Sequence, residues 1–394
     1  MSVIHPDTGP TDRRLDSMNK YKMCVIPAYP LENVQLLKDR VLLPYVCYRT
    51  FGKSFRIATQ STGDYPYLSY LEGTDFVSLP AEQSHMETAV RYVSEHSRDI
   101  DLLFLFGARE EYIELTRTYR SLRPDGLIYL KLDTNIDWAN AYPLYDTNFS
   151  AFLQDCDIIS CEARRLQSFL YKKWLRPVEY IPNGVYYPLY PDADDVRFEE
   201  KENSILTVGR LGTAQKNSLL LLYAYALAFP AFKEPWDLFM VGSVTPEFQA
   251  DYDDFCRRFP PLAPHVHLTG NIVDKRTLHQ YYKRAKIFAL PSRGEGGSPN
   301  VFSEAAIFGC TVLTTEVDAA PDMTDNGRVG KICRSTEDFD EFSKNLLSLC
   351  NNPDYLARNF HDMRAYMKEY FDYERLAGRL QILTELQALK RRQR

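Results

Sequence analysis

The chain has 394 residues, 45% hydrophobic and 25% charged, which is enough for two globular domains that each bury a core. A net charge of −6 excludes a strong global pull toward nucleic acid or an anionic membrane. Eight scattered cysteines without a CxxC pair exclude a disulfide framework and a zinc site and point to a reducing cytosol, and no apolar run approaches the ~20 residues that span a bilayer.

Residues 1–20 are polar, lack the apolar stretch of a signal peptide, and read as a loosely docked tail. From 21 to 183 short apolar runs alternate with longer amphipathic ones. Strands are expected at 22–28, 55–60, 76–79, 102–106, 127–132, 158–161 and 178–181, with helices such as 87–97, 110–121 and 163–174 between them. The pattern breaks at Ile181-Pro182-Asn183-Gly184, and residues 184–203, rich in Pro, Tyr and acidic side chains without periodicity, read as a linker. A second alternating series fills 204–370, with strands expected at 204–209, 237–242, 265–269, 287–291, 311–315 and 330–333. From Asp354 onward the chain reads as almost continuous helix. Its end, 371–394, is basic and is expected to pack back toward the N-terminal domain. The fold class is therefore α/β: two doubly wound, Rossmann-like domains facing a central cleft, with ligands bound outside the carboxyl ends of the strands.

Two stretches in the second half carry chemistry. The first runs from Leu290 to Gly309 (LPSRGEGGSPNVFSEAAIFG), a strand, a glycine loop and a helix start. Ser298 suits the helix N-cap and Pro299 the first helical position, so that free N–H groups at Asn300 and Val301 face a ligand. That end carries partial positive charge and suits a diphosphate. Gly294, Gly296 and Gly297 permit close approach of backbone to ligand. Glu304, one turn inside, suits a ribose diol, and Glu295 on the loop suits sugar hydroxyls. The plainer alternative is a capping arrangement with glycines that only turn the chain.

The second stretch runs from Ile205 to Asn217 (ILTVGRLGTAQKN). Arg210 leaves the strand beside Gly209 and Lys216 precedes a helix. Two cations there neutralise a diphosphate both bound and as a leaving group, whereas a lone surface cation is ordinarily just solvated. The pairing of both stretches in one domain favours the functional reading.

These residues resemble the retaining GT-B glycosyltransferases of glycosyltransferase family 4, also called group 1. The resemblance rests on VGR (208–210) with Lys216, IPNGV (181–185), PSRGEGGSPNVFSEAAIFGC (291–310), TVLTTEVDAAPDM (311–323) and the Asp325-Asn326-Gly327…Gly330 turn. In the N-terminal half only the strand order matches. The resemblance implies that Arg210 and Lys216 hold the diphosphate and stabilise its departure. It implies further that Glu304 binds the ribose, Glu295 the transferred sugar, and the backbone of Ser298–Val301 sugar and phosphate, with no metal and no cofactor beyond the nucleotide sugar as co-substrate. One departure stands out: eight residues separate Glu295 from Glu304 where the family has seven, and the extra residue falls within 296–298. Where many relatives carry a histidine after the fifth strand, this chain has Asp133, suited to orient an acceptor hydroxyl or take its proton, or equally to end the strand as a turn former.

The activity this implies is transfer of a sugar, with retention, from a UDP- or GDP-linked donor to a glycan, lipid-linked or protein acceptor in cell-surface polysaccharide or glycoconjugate synthesis. A nucleotide-sugar epimerase of the same fold and a non-catalytic nucleotide-sugar-binding relative are the rivals. The expected location is cytoplasmic. The basic helix from Arg164 to Arg176 reads as a solvated face, with peripheral contact at the inner membrane face as its alternative. Five DxD triplets look like chance in an acidic chain.

Overall fold

A computed structural model describes residues 21–393, so the expected tail at 1–20 lies outside the described residues. Seven parallel strands form the first sheet: β1 (Tyr21–Val25), β2 (Gly52–Gln60), β3 (Thr74–Leu79), β4 (Leu102–Phe106), β5 (Leu127–Lys131), β6 (Ile158–Cys161) and β7 (Glu179–Tyr180), in the order β3-β2-β1-β4-β5-β6-β7. Six parallel strands form the second: β8 (Glu202–Val208), β9 (Asp237–Val241), β10 (Val266–Gly270), β11 (Ala285–Leu290), β12 (Thr311–Thr315) and β13 (Gly330–Cys333), in the order β10-β9-β8-β11-β12-β13. Helices cover both faces, so the central strands are apolar throughout; Leu102–Leu105 and Ile287–Leu290 are fully buried. Strand order reverses between β1 and β4 in one sheet and between β8 and β11 in the other.

Two sequence expectations change. A helix at Asp39–Phe51 escaped the reading because Val41–Cys47 is buried all round, which leaves no amphipathic period, and because it contains Pro44. The 184–203 stretch is not featureless: it carries short 3-10 turns at Tyr187–Leu189, Pro191–Ala193 and Phe198–Glu200, and β8 begins inside it at Glu202. The expected, almost continuous terminal helix is found as Pro353–Tyr370 and Tyr373–Arg392, interrupted only at Phe371-Asp372, where Asp372 leaves helical geometry and accepts the N–H of Glu374. Tyr373, Leu376, Ala377 and Leu380 of the last helix join the core beneath the first sheet, and Arg391 pairs with Asp157 at 2.5 Å.

The basic helix Arg164–Trp174 keeps Arg164, Arg165 and Lys172 exposed, as a solvated face does, while its first turn also reaches the second half. Its Arg164 backbone N–H donates to Asp322 at 2.8 Å and Arg165 pairs with Glu316 at 3.0 Å, so its first turn ties the two halves together. Among the described residues no helix is long and apolar enough to cross a membrane.

Candidate functional site

The carboxyl ends of β8 and β11 form one wall of a cleft of about 470 Å³. Gly209 and Arg210 follow β8 directly, and Gln215 and Lys216 close the loop before the helix Ser218–Ala228. The Arg210 guanidinium donates to Gln215 Oε1 at 2.7 Å. Lys216 Nζ donates to Glu295 Oε1 at 2.6 Å, and that carboxylate also accepts from Ser292 Oγ at 2.5 Å and Gln215 Nε2 at 3.3 Å. An ammonium has three donors, so Lys216 keeps two for a ligand while holding Glu295.

Within 296–298, Gly297 has a φ of +65°, which only glycine adopts freely. Its N–H donates to Thr134 O at 2.9 Å across the cleft. A Cβ there would meet Glu162 at 2.8 Å. The loop thus bulges onto the N-terminal half, and Glu295 stays folded back against Lys216, 4% exposed.

The helix after the loop starts one residue later than the sequence suggests. Pro299 is the N-cap and Asn300 the first helical residue of Asn300–Ile307. Ser298 does not cap it. Its Oγ accepts the Asn183 N–H at 2.8 Å and its carbonyl accepts Asn183 Nδ2 at 2.7 Å, a tertiary contact that takes the hydroxyl away from the helix end. Ser298, Pro299, Asn300 and Val301 line the cleft together with Gly296, whereas Gly297 faces Glu162 instead.

Glu304 lies one turn deeper and is not part of the cleft lining. It is 5% exposed, and its two oxygens accept from Lys275 Nζ at 2.5 Å and Tyr282 Oη at 3.0 Å. Burial opposes its ionisation, but Lys275 and Tyr282 outweigh burial and hold the carboxyl below the usual range.

The opposite wall comes from the N-terminal half. Asp133 follows β5, lines the cleft and adopts φ +45°, a left-handed conformation that Asp tolerates better than most residues. Burial, reinforced by Asp39 and Glu162, pushes its carboxyl up to about 8. Glu162 is itself buried against Lys131 at 2.9 Å, and burial also raises its carboxyl.

Sequence reasoning missed Lys38, Asp39 and Arg40, which enter the cleft from the start of the Asp39–Phe51 helix, and Trp138, Asn183 and Gln215. It also missed Gly242 and Ser243 after β9. The signal was present there: a strand ending in Val-Gly-Ser, where a Cβ on Gly242 would strike Gly209 O at 1.7 Å. The two walls are tied together by Asn300 Nδ2 to Asp39 Oδ1 at 3.1 Å and by the Ile136 N–H to Asp318 at 2.7 Å.

This arrangement of two parallel sheets around one cleft has known counterparts. A sucrose-phosphate synthase from Thermosynechococcus elongatus is similar at TM-score 0.68 and 15% identity, over 92% of this chain and 98% of that one. Anabaena HepE in complex with UDP matches at 0.68 and 14%, over 91% and 98%. A glycosyltransferase from Rickettsia africae ESF-5 matches at 0.69 and 13%, over 94% and 99%. The fold is GT-B. Residues 202–352, which hold β8 through the helix after β13, match the family described as Glycosyl transferases group 1. No curated protein matches the sequence.

Proposed function

We propose that the chain is a retaining glycosyltransferase that moves a sugar from a nucleotide diphosphate to an acceptor hydroxyl. The observation that carries this reading is the convergence of Arg210, Lys216 and the N-terminal end of the Asn300–Ile307 helix on one cleft. Two side-chain cations and free backbone N–H groups suit a diphosphate, bound and departing. The group 1 match over 202–352 and the GT-B fold support the same assignment. In this reading Glu295, held by Lys216, faces the transferred sugar, and Asp133 receives or orients the acceptor proton. Glu304 meets a ribose diol when Lys275 gives way. Retention follows if the acceptor attacks from the face the diphosphate leaves, a chemistry taken from the resemblance. The donor is a UDP or GDP sugar, the acceptor a glycan, lipid-linked or protein hydroxyl, and the setting cell-surface polysaccharide or glycoconjugate synthesis in the cytoplasm.

The test is to incubate the protein with UDP- and GDP-sugars, with and without candidate glycan acceptors, and to follow nucleotide release and the anomeric configuration of the product by NMR. Acceptor-dependent release with a retained anomeric centre is expected. Interconversion of donor sugars without any acceptor would instead identify an epimerase, and binding without turnover a non-catalytic relative.

A further inference from the structure

Two side chains in the cleft carry buried oxygens that lack a hydrogen-bond partner among the described residues. Asp39 is 4% exposed; its Oδ1 accepts from Asn300 while its Oδ2 is unpartnered. Asn183 is 2% exposed; its backbone N–H and Nδ2 both hold Ser298, which fixes the amide orientation, and its Oδ1 is unpartnered. Both residues line the cleft. Leaving a buried acceptor without a donor is costly, so such oxygens in residues that line a ligand cavity call for N–H or O–H groups.

The surroundings narrow the choice. Lys38 and Arg40 flank Asp39 and line the same cleft, so no cation is needed to balance its charge; neutral hydroxyls satisfy both oxygens. The location narrows it further. The partners already held by Asp39 and Asn183 are Asn300 and Ser298, the residues at the helix end that receives the diphosphate. In a nucleotide sugar the group joined to the diphosphate is the sugar to be transferred. We propose that Asp39 and Asn183 form a hydroxyl-accepting subsite for the transferred sugar, an inference that rests on the nucleotide-sugar reading above.

Calorimetric titration tests this, with UDP against UDP-glucose, UDP-galactose and UDP-N-acetylglucosamine, and with GDP against GDP-mannose, on wild type, Asp39→Asn and Asn183→Ala. The quantity read is the ratio of nucleotide-sugar to nucleotide dissociation constants. In Asp39→Asn, whose remaining oxygen can still accept from Asn300, the nucleotide affinity should stay within about twofold, which also shows the variant is folded; Asn183→Ala also releases the Ser298 carbonyl, so there the ratio alone is read, and in both variants the ratio should rise about tenfold or more, as expected for loss of a buried hydrogen bond. An unchanged ratio with intact nucleotide binding overturns the subsite alone. Failure of wild type to bind any of these nucleotides overturns the nucleotide-sugar reading, and the subsite with it.

Discussion

The two walls of the cleft are built on the same parallel, doubly wound frame but present different chemistry. The C-terminal wall offers cations at strand ends, Arg210 and Lys216, each already steadied by a neighbour, and a helix end with free N–H groups. The N-terminal wall adds two carboxyl groups among its own cations Lys38 and Arg40: Asp39 with an oxygen unpaired among the described residues, and Asp133 raised by burial. One wall suits an anion that must leave with negative charge. The other suits hydroxyl donors and a proton. A frame that fixes strand ends leaves each wall free to specialise through its loops alone.

The comparison breaks most visibly at Lys216. Lys216→Met should lower the rate of nucleotide release from the donor by about 10³-fold, the upper range for removing one donor to a developing anion. A loss below tenfold would mean the C-terminal wall does not carry the leaving group.

On the N-terminal wall, Asp133→Asn should cost about 10²-fold in transfer and abolish a rise in rate with pH centred near 8, since only the ionised carboxylate takes a proton. Stability should move the other way. The folded state holds the Asp133 proton up to about 8, against an ordinary value of 3.8, so its ionisation drains stability as pH rises through that window. Asp133→Asn should therefore raise Tm relative to wild type at pH 8, and the gain should vanish near pH 4. A thermal melt at both pH values checks the sign.

The smallest effects belong to the residues behind the walls. Glu304→Gln should weaken nucleotide binding by about tenfold at most, because Lys275 already occupies the carboxylate and part of the ribose interaction is spent on displacing it. Gly297→Ala should reduce transfer by a few-fold through strain at φ +65° and contact with Glu162, with nucleotide affinity nearly intact. A large loss of nucleotide binding in Gly297→Ala would place the loop in the nucleotide site rather than at the seam between the halves.

The legibility of the two walls differs for a physical reason. The C-terminal wall is built by contiguous strand-loop-helix units, so Arg210, Lys216 and the 295–301 loop carry their signal in local spacing, and the alternating strands could be placed to within a few residues. The N-terminal wall depends on Asp39, at the start of a helix with no amphipathic period, and on Asn183, whose role comes from its contact with Ser298. The IPNGV motif marks the position of Asn183, but its contact with Ser298, like the helix start at Asp39, exists only once the chain is folded. Ser298 shows the same limit from the other side: its spacing fits an N-cap, but a partner distant in sequence claims its hydroxyl. Glu304 sits where the helix register puts it, yet nothing local to it announces Lys275.

The central claim is that Arg210 and Lys216 grip a diphosphate. Calorimetric comparison of UDP with UMP, and of GDP with GMP, tests it most directly in wild type and in Arg210→Ala and Lys216→Met. The account predicts that for the preferred base the diphosphate binds at least 100-fold more tightly than the monophosphate, and that either substitution removes about a tenfold or greater share of that difference. Equal affinity for the two nucleotides in wild type, or a preference untouched by both substitutions, would contradict it.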